Sequence, residues 1–467
     1  MTGPTERDRM RKLLLVGCAA LVLGGSAAAV SSQTPRNETF RMLELFGDVV
    51  GIVENVYVVP VDNKKLIEAA LAGMMTALDP HSNYLPPSNY DELRERTEGQ
   101  YSGVGLTISA DGGMVKVISP MDDSPAAKAG VQAGDVISAI EGQNAAGLTV
   151  SQVSEKLRGP VGTSVKVTFL RDGSDPLEVT LTREVIKVQS VTGRVEGDFG
   201  YLRVSTFNEN TGRELNEAIA KIKTEKPGVK GYVLDLRNNG GGLLNAAIDV
   251  SDAFLERGEI VSQRGRKPEQ IQRYSAKPGD ITGGLPLVVL VNYGSASASE
   301  IVAGALKDHQ RATIVGLTSF GKGSVQTVIP LRQGQDGALS ITTARYYTPS
   351  GASIQKIGIE PDLEVARNEA EARIVSRSSF IYSEAAYATA LDASIGAERK
   401  GPHIPREAPG EDFPKDKDYQ LERALDVLRA GGDLSKLSPA PAGIVVTEPG
   451  AAAKPTEAPS TETPDKP

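Results

Sequence analysis

Three serines alternate with alanines in residues 293–308, YGSASASEIVAGALKD, where an apolar strand pattern gives way to a helical one. Ser295, Ser297 and Ser299 are each candidate nucleophiles. A serine hydroxyl attacks poorly at neutral pH unless a base lies within hydrogen-bond reach and donors face the developing oxyanion. The same stretch has a competing meaning. Ser297-Ala298-Ser299-Glu300 is S-x-x-E at a helix start, a capping box, and on local grounds capping outweighs catalysis. Ala296 and Ala298 pull the other way, because small neighbours leave room for a peptide. The Ala298 N–H, at a helix N-terminus, is a candidate oxyanion donor. DLRNNGGG offers others: Gly240, Gly241 or Gly242 can expose an N–H where a side chain would intrude, or can simply form a flexible turn.

The base is harder to find. Of the three histidines, His81, His309 and His403, none shares metal-ligand spacing with another His or a carboxylate, which argues against a structural zinc site. His309 ends the helix that Ser297 begins, roughly three turns away at about 1.5 Å rise per residue, and is out of reach. Lys322 in FGKGSVQT remains. A lysine titrating near its ordinary value, about 10.4, is charged and useless as a base. Burial without a carboxylate partner lowers that value by several units. FGKGSVQT contains no acidic residue, glycines flank the lysine, and Gln326 can orient the amine without adding charge. The competing reading is a loop lysine facing solvent or phosphate, although the complete Walker A motif is absent.

These residues need a scaffold. GYLRVSTF, KGYVLDLRNNGGG, LPLVVLVNY and ATIVGL read as strands separated by helices, which predicts a sheet covered by helices over residues 188–370. Ahead of it, residues 99–187 read as a β-rich unit with an Asp111-Gly112-Gly113 turn. Residues 31–98 carry helical periodicity in FRMLELFGDVVGIVENVY and KKLIEAALAGMMTALD, followed by the turn-rich DPHSNYLPPSNY. Helical content resumes over 371–437, and 438–467 is Pro-, Ala- and Thr-rich and too poor in apolar residues for a core. The predicted class is multi-domain α/β: a helical N-terminal segment, a β-rich α+β domain, a mixed α/β core and a helical C-terminal segment.

Composition sets the outer limits. A chain of 467 residues with 40% hydrophobic and 24% charged residues has room for several compact units. A net charge of −8 gives no bulk attraction to nucleic acid. The single cysteine, Cys18, excludes an intrachain disulfide. Residues 1–30 read as a targeting segment, with Arg7, Arg9, Arg11 and Lys12 before LLLVGCAALVLGG and a small-residue cleavage region. Export to a bacterial periplasm is the expectation, with a retained inner-membrane anchor second and lipidation at Cys18 third.

Two resemblances add to this. SPAAKAGVQAGDVI, with the preceding GVGL and the RGPVGT turn, resembles a PDZ domain. That implies capture of an extended peptide C-terminus at a sheet edge, with Gly103, Val104, Gly105 and Leu106 as the carboxylate loop. YGSASASEIVAGALKDHQRATIVGLTSFGKGSVQ, with DLRNNGGGLL and LDPHSNYL in order, closely resembles the C-terminal processing (tail-specific) proteases. The resemblance covers residues 40–435. It implies a serine endopeptidase with Ser297 as nucleophile, Lys322 as base and Gln326 as its orienting partner. It further implies an oxyanion hole at Ala298 and a glycine of the turn, Gly241 or Gly242, and a gating role for Arg158. No cofactor is implied. The partners it implies are protein C-termini; an adaptor and a homo-oligomer are compatible with it, and the membrane is met only through the N-terminal segment. The alternative from another class is a non-catalytic PDZ scaffold or chaperone.

Overall fold

The computed structural model describes residues 34–437 apart from 172, 174, 379–381, 394–398, 400, 402, 404 and 411. The expected targeting segment with Cys18 and the expected tail 438–467 lie outside the described residues. The chain divides into two compact units, Met1–Met74 and Met75–Pro467. The described part of the first holds α1 (Thr34–Val56) and the start of α2 (Asn63–Thr76). Among the described residues no helix is long and apolar enough to cross a membrane.

In the second unit, β1 (Asn83–Leu85) and α3 (Pro87–Glu98) occupy the stretch read as a connector. β1 exists because a distant strand pairs with it, and Pro87 at the first helical turn needs no amide partner. β2 (Gln100–Gly103) then leads into an antiparallel domain. Its elements are β3 (Leu106–Asp111), β4 (Met114–Pro120), α4 (Pro125–Lys128), β5 (Val136–Ile140), β6 (Gln143–Asn144), α5 (Val150–Leu157), β7 (Ser164–Leu170) and β8 (Leu177–Thr182). The sheet order is β3-β4-β5-β7-β8 with β6 on β5, around a core of Val117, Ile137, Val153, Val167 and Phe169. β9 (Glu184–Lys187) returns to pair with β2 and closes the domain. β3 is an edge strand, and α5 packs beside it.

The core follows: β10 (Val191–Glu196), β11 (Phe199–Val204), α6 (Thr211–Glu225), β12 (Tyr232–Asp235), α7 (Leu244–Asp252), β13 (Gly258–Gly265), β14 (Ile271–Ala276), β15 (Leu287–Val291), α8 (Ala298–Asp308), β16 (Thr313–Gly316), β17 (Ser324–Pro330), β18 (Ala338–Tyr347), β19 (Leu363–Glu364), α9 (Glu369–Arg377) and α10 (Tyr419–Arg429). One sheet runs β10-β11-β12-β15-β16-β19, parallel from β11 onward. Alternation along its strands explains the apolar runs. Val289 and Val291 join α6, α7 and α8 on one face, while Val288 and Leu290 join Leu425 and Leu428 of α10 on the other. A second, antiparallel sheet runs β1-β18-β13-β14, with β17 also on β18. The expected sheet covered by helices is present, with a further sheet beside it.

Candidate active site

β12, β15 and β16 are neighbours in the parallel sheet, so the loops that leave their carboxyl ends are neighbours too. Those loops are RNNGGG, NYGSASA and LTSFGKG. Three motifs far apart in the chain are therefore brought to one edge of the sheet.

The structure distinguishes the three serines. Ser295 is buried; its hydroxyl donates to the Leu236 carbonyl at 2.8 Å and accepts from the Asn292 N–H at 3.0 Å. Ser299 is also buried and donates to the Asn239 carbonyl at 2.8 Å. Ser297 alone is partly exposed. Its backbone is unusual, with φ 55° and ψ −111°, a strained region for a residue with a side chain. The Glu300 carboxylate accepts from the Ser297 N–H at 2.8 Å, which is the Glu300 half of the expected capping box.

The glycine turn lies against the serine turn. Asn239 is fully buried and holds both: its carbonyl accepts from the Ala296 N–H at 3.0 Å, and its Oδ1 accepts from the Gly241 N–H at 2.9 Å. A Cβ on Gly241, whose φ is +100°, would stand 2.9 Å from the Ser297 Cβ and 3.0 Å from the Ala298 nitrogen. Only glycine leaves that amide open. Gly242 is exposed and bridges to Phe207.

Glu300 connects the serine to the lysine. Its buried carboxylate also accepts from the Lys322 N–H at 2.9 Å, on the same Oε2 that holds the Ser297 N–H. Its Oε1 accepts from the Ser319 hydroxyl and the Gly321 N–H, each at 2.6 Å. Burial outweighs these donors and pushes the Glu300 carboxyl up to about 7. Burial likewise holds the Lys322 amine below its ordinary value, against the opposing charges of Glu384, Glu300 and Asp79. The octapeptide is free of acids in sequence, but in space three carboxylates face its lysine. Desolvation nevertheless wins.

Gln326 lies on β17 rather than in the loop. Its amide donates to Ser324 Oγ at 3.0 Å and to Thr342 Oγ1 at 3.1 Å. Thr342 in turn donates to Asp79 Oδ1 at 3.1 Å, and the Ser82 hydroxyl donates to Asp79 Oδ2 at 2.7 Å. The DPHS motif is thus a buttress for the Gln326 strand. His309 donates to the Glu259 carbonyl at 2.7 Å, at the far end of α8 from Ser297.

The PDZ loop joins β2 to β3 in the antiparallel domain. Gly103, Val104 and Gly105 are buried and Leu106 half-buried; Gly103 ends β2 and Leu106 begins β3. The Val104 carbonyl accepts from the Ala126 N–H at 3.0 Å and the Gly105 carbonyl from the Met121 N–H at 2.9 Å. Gly105 has φ +74°, and a Cβ there would meet Ser124 Cβ at 2.2 Å. Arg158 caps α5, forms an ion pair with Glu95 of α3, and lies over the Tyr101 ring at 5.1 Å.

Sequence reasoning missed Asn239, Gln355, Glu384 and Glu95, and saw Glu300 only as a cap. S-x-x-E did locate Glu300; nothing local told of its burial or its bond to the lysine loop.

Comparison with known proteins agrees with this architecture. The Peptidase family S41 profile matches residues 198–365 and a PDZ domain profile residues 116–171. The chain is 50% identical over 363 residues to the carboxy-terminal-processing protease of Bartonella bacilliformis, spanning 76% of this chain and 83% of that protein. It is 39% identical over 326 residues to the chloroplastic C-terminal processing peptidase of Tetradesmus obliquus, spanning 66% and 69% respectively. A solved photosystem II D1 C-terminal processing protease is 38% identical, with TM-score 0.41, over 66% of this chain and 84% of that one. A PDZ domain ahead of an S41 core makes this a serine-type peptidase. The chain belongs to the carboxy-terminal-processing protease family.

Proposed function

We propose that this is an exported endopeptidase that takes the C-terminus of a protein at its PDZ domain and cuts with a Ser297–Lys322 dyad. The observation that carries the reading is the Glu300 carboxylate, which receives the Ser297 and Lys322 amides on one oxygen atom. That oxygen sets the partly exposed serine near a half-buried lysine whose proton affinity is lowered by desolvation.

Neutral Lys322 takes the hydroxyl proton as Ser297 Oγ bonds to the peptide carbonyl carbon. The Ala298 N–H and a glycine amide of the turn receive the oxyanion. With the Gly241 amide engaged by Asn239, Gly242 supports that second role better. The Lys322 ammonium then returns its proton to the leaving amine as the C–N bond breaks. Water releases the acyl group by the same route, and Gln326 orients the base through its strand. A tail peptide adds to the β3 edge between that strand and α5. The basic and apolar pattern of the first thirty residues supports periplasmic export.

The test is cleavage and binding of one tail-bearing peptide by wild type, Ser297→Ala and Lys322→Ala. Both variants are expected to bind and not cut. Binding without cleavage by the wild type and both variants alike would establish the scaffold reading instead, and cleavage by either variant would overturn the dyad.

A further inference from the structure

Beyond the S41 match, which ends at residue 365, a buried carboxylate reaches back to the lysine loop. Glu384 is fully buried, and three contacts bracket Phe320–Gly323 with it. Its N–H donates to the Phe320 carbonyl at 3.0 Å. Its Oε1 accepts from Gln355 Nε2 at 3.0 Å, and Gln355 Oε1 accepts from the Gly323 N–H at 3.0 Å. Glu384 therefore holds one end of the loop directly and the other through one buried amide. Its remaining oxygen, Oε2, is 2.8 Å from His81 Nε2. The Tyr387 ring, three residues on, closes over this pair, 6.3 Å from the His81 ring and 6.4 Å from that of Phe320.

We propose that Glu384 is a positioning residue for the lysine base, fixing the loop that carries Lys322 and setting, with its charge, how readily that amine holds a proton. The inference rests on the Ser297–Lys322 reading above. The charged groups that face Lys322 come from three places: Glu384 from a 3-10 turn at Glu384–Ala386, Glu300 from α8 and Asp79 from the chain before β1. His81 faces Glu384 in turn. Glu384 leads the carboxylates that oppose desolvation of Lys322. A lone buried lysine would lose its proton too easily and become a weak base; one firmly paired would never lose it. A carboxylate shared with His81 and Gln355 holds the amine between these extremes.

Glu384→Gln keeps the shape and removes the charge. The experiment is the pH profile of kcat/KM for cleavage of a tail-bearing fluorogenic peptide, with Tm measured alongside and Lys322→Ala as control. The acidic limb, where the lysine gains its proton, is expected to move toward lower pH by about one unit in the variant, because an ammonium next to one fewer carboxylate is less stable. A merely structural glutamate would lower Tm or kcat and leave that limb in place; an unmoved limb in a folded variant overturns the proposal. Should Glu384→Gln not fold, Glu384→Asp draws the charge back by one methylene, and the limb moves the same way by a smaller step or the proposal fails. If Lys322→Ala still cleaves, the dyad itself is wrong, and that outcome overturns both readings; a dead Lys322→Ala with an unmoved limb overturns only this one.

Discussion

In the function proposed above the PDZ loop and the serine turn each offer backbone amides to a peptide, yet the two are held by different means. Around Gly105 the holding is local and uncharged: the Val104 and Gly105 carbonyls accept from the nearby Ala126 and Met121 amides, and the Ser124 hydroxyl donates to the Gly105 carbonyl at 3.2 Å. Around Ser297 the holding includes buried carboxylates and reaches across the chain: the Asn239 carbonyl accepts from the Ala296 N–H, Glu300 ties the Ser297 amide to that of Lys322, and Gln355 and Glu384 act through the lysine loop. Capturing an extended tail needs only a preformed edge, which tolerates many side chains. Proton transfer needs buried groups of definite charge at definite places. The second site is accordingly the more fragile.

That contrast can be broken most sharply at the dyad. Ser297→Ala or Lys322→Ala should lower kcat/KM on the order of 10⁴-fold or more while tail-peptide binding, read by fluorescence anisotropy, is unchanged. Glu300→Ala comes next, since it strips the acceptor from three amides and a hydroxyl. We expect roughly a 100-fold loss in kcat and at least about 3 kcal/mol of stability, measured by denaturant titration. Glu300 also carries a pH signature. Its folded carboxyl, raised from 4.5 to about 7, favours the protonated form. Its contribution to stability is therefore full below its ordinary range and lost as pH rises through about 7. The wild-type Tm should fall across that window more than the Tm of Glu300→Gln.

A smaller effect is expected on the PDZ side. Gly105→Val, forced into a left-handed backbone against Ser124, should weaken tail-peptide affinity about tenfold, near 1.4 kcal/mol. Labelling of Ser297 by a small acylating probe should continue in that variant; its loss would erase the distinction between the two loops. Smallest is Arg158→Ala: the ion pair with Glu95 is a third exposed, and its removal should cost less than about 1 kcal/mol of stability.

Much of this was readable in advance. The alternating apolar strands predicted the covered sheet, and S-x-x-E placed Glu300 at the head of α8. The parts that were not readable share a cause. In sequence the β1 segment reads as a turn-rich connector, because three residues form a strand only when β18 is there to pair with them. FGKGSVQT reads as an acid-free setting for its lysine, whereas Glu384, Glu300 and Asp79 are supplied from elsewhere in the chain. Local spacing also left three serines equivalent, since each is a small polar residue flanked by alanine.

The sequence by itself determined the residue types, the glycines and the order of motifs, because these follow from covalent geometry and short-range periodicity. Which serine is open, which carboxylates face the lysine, and which amides remain for an oxyanion were decided only by the tertiary structure. Those properties depend on burial and on hydrogen bonds between strands that the chain brings together across hundreds of residues. A hydroxyl whose bonds are already made to Leu236 or Asn239 cannot attack, and no window of sequence records that commitment.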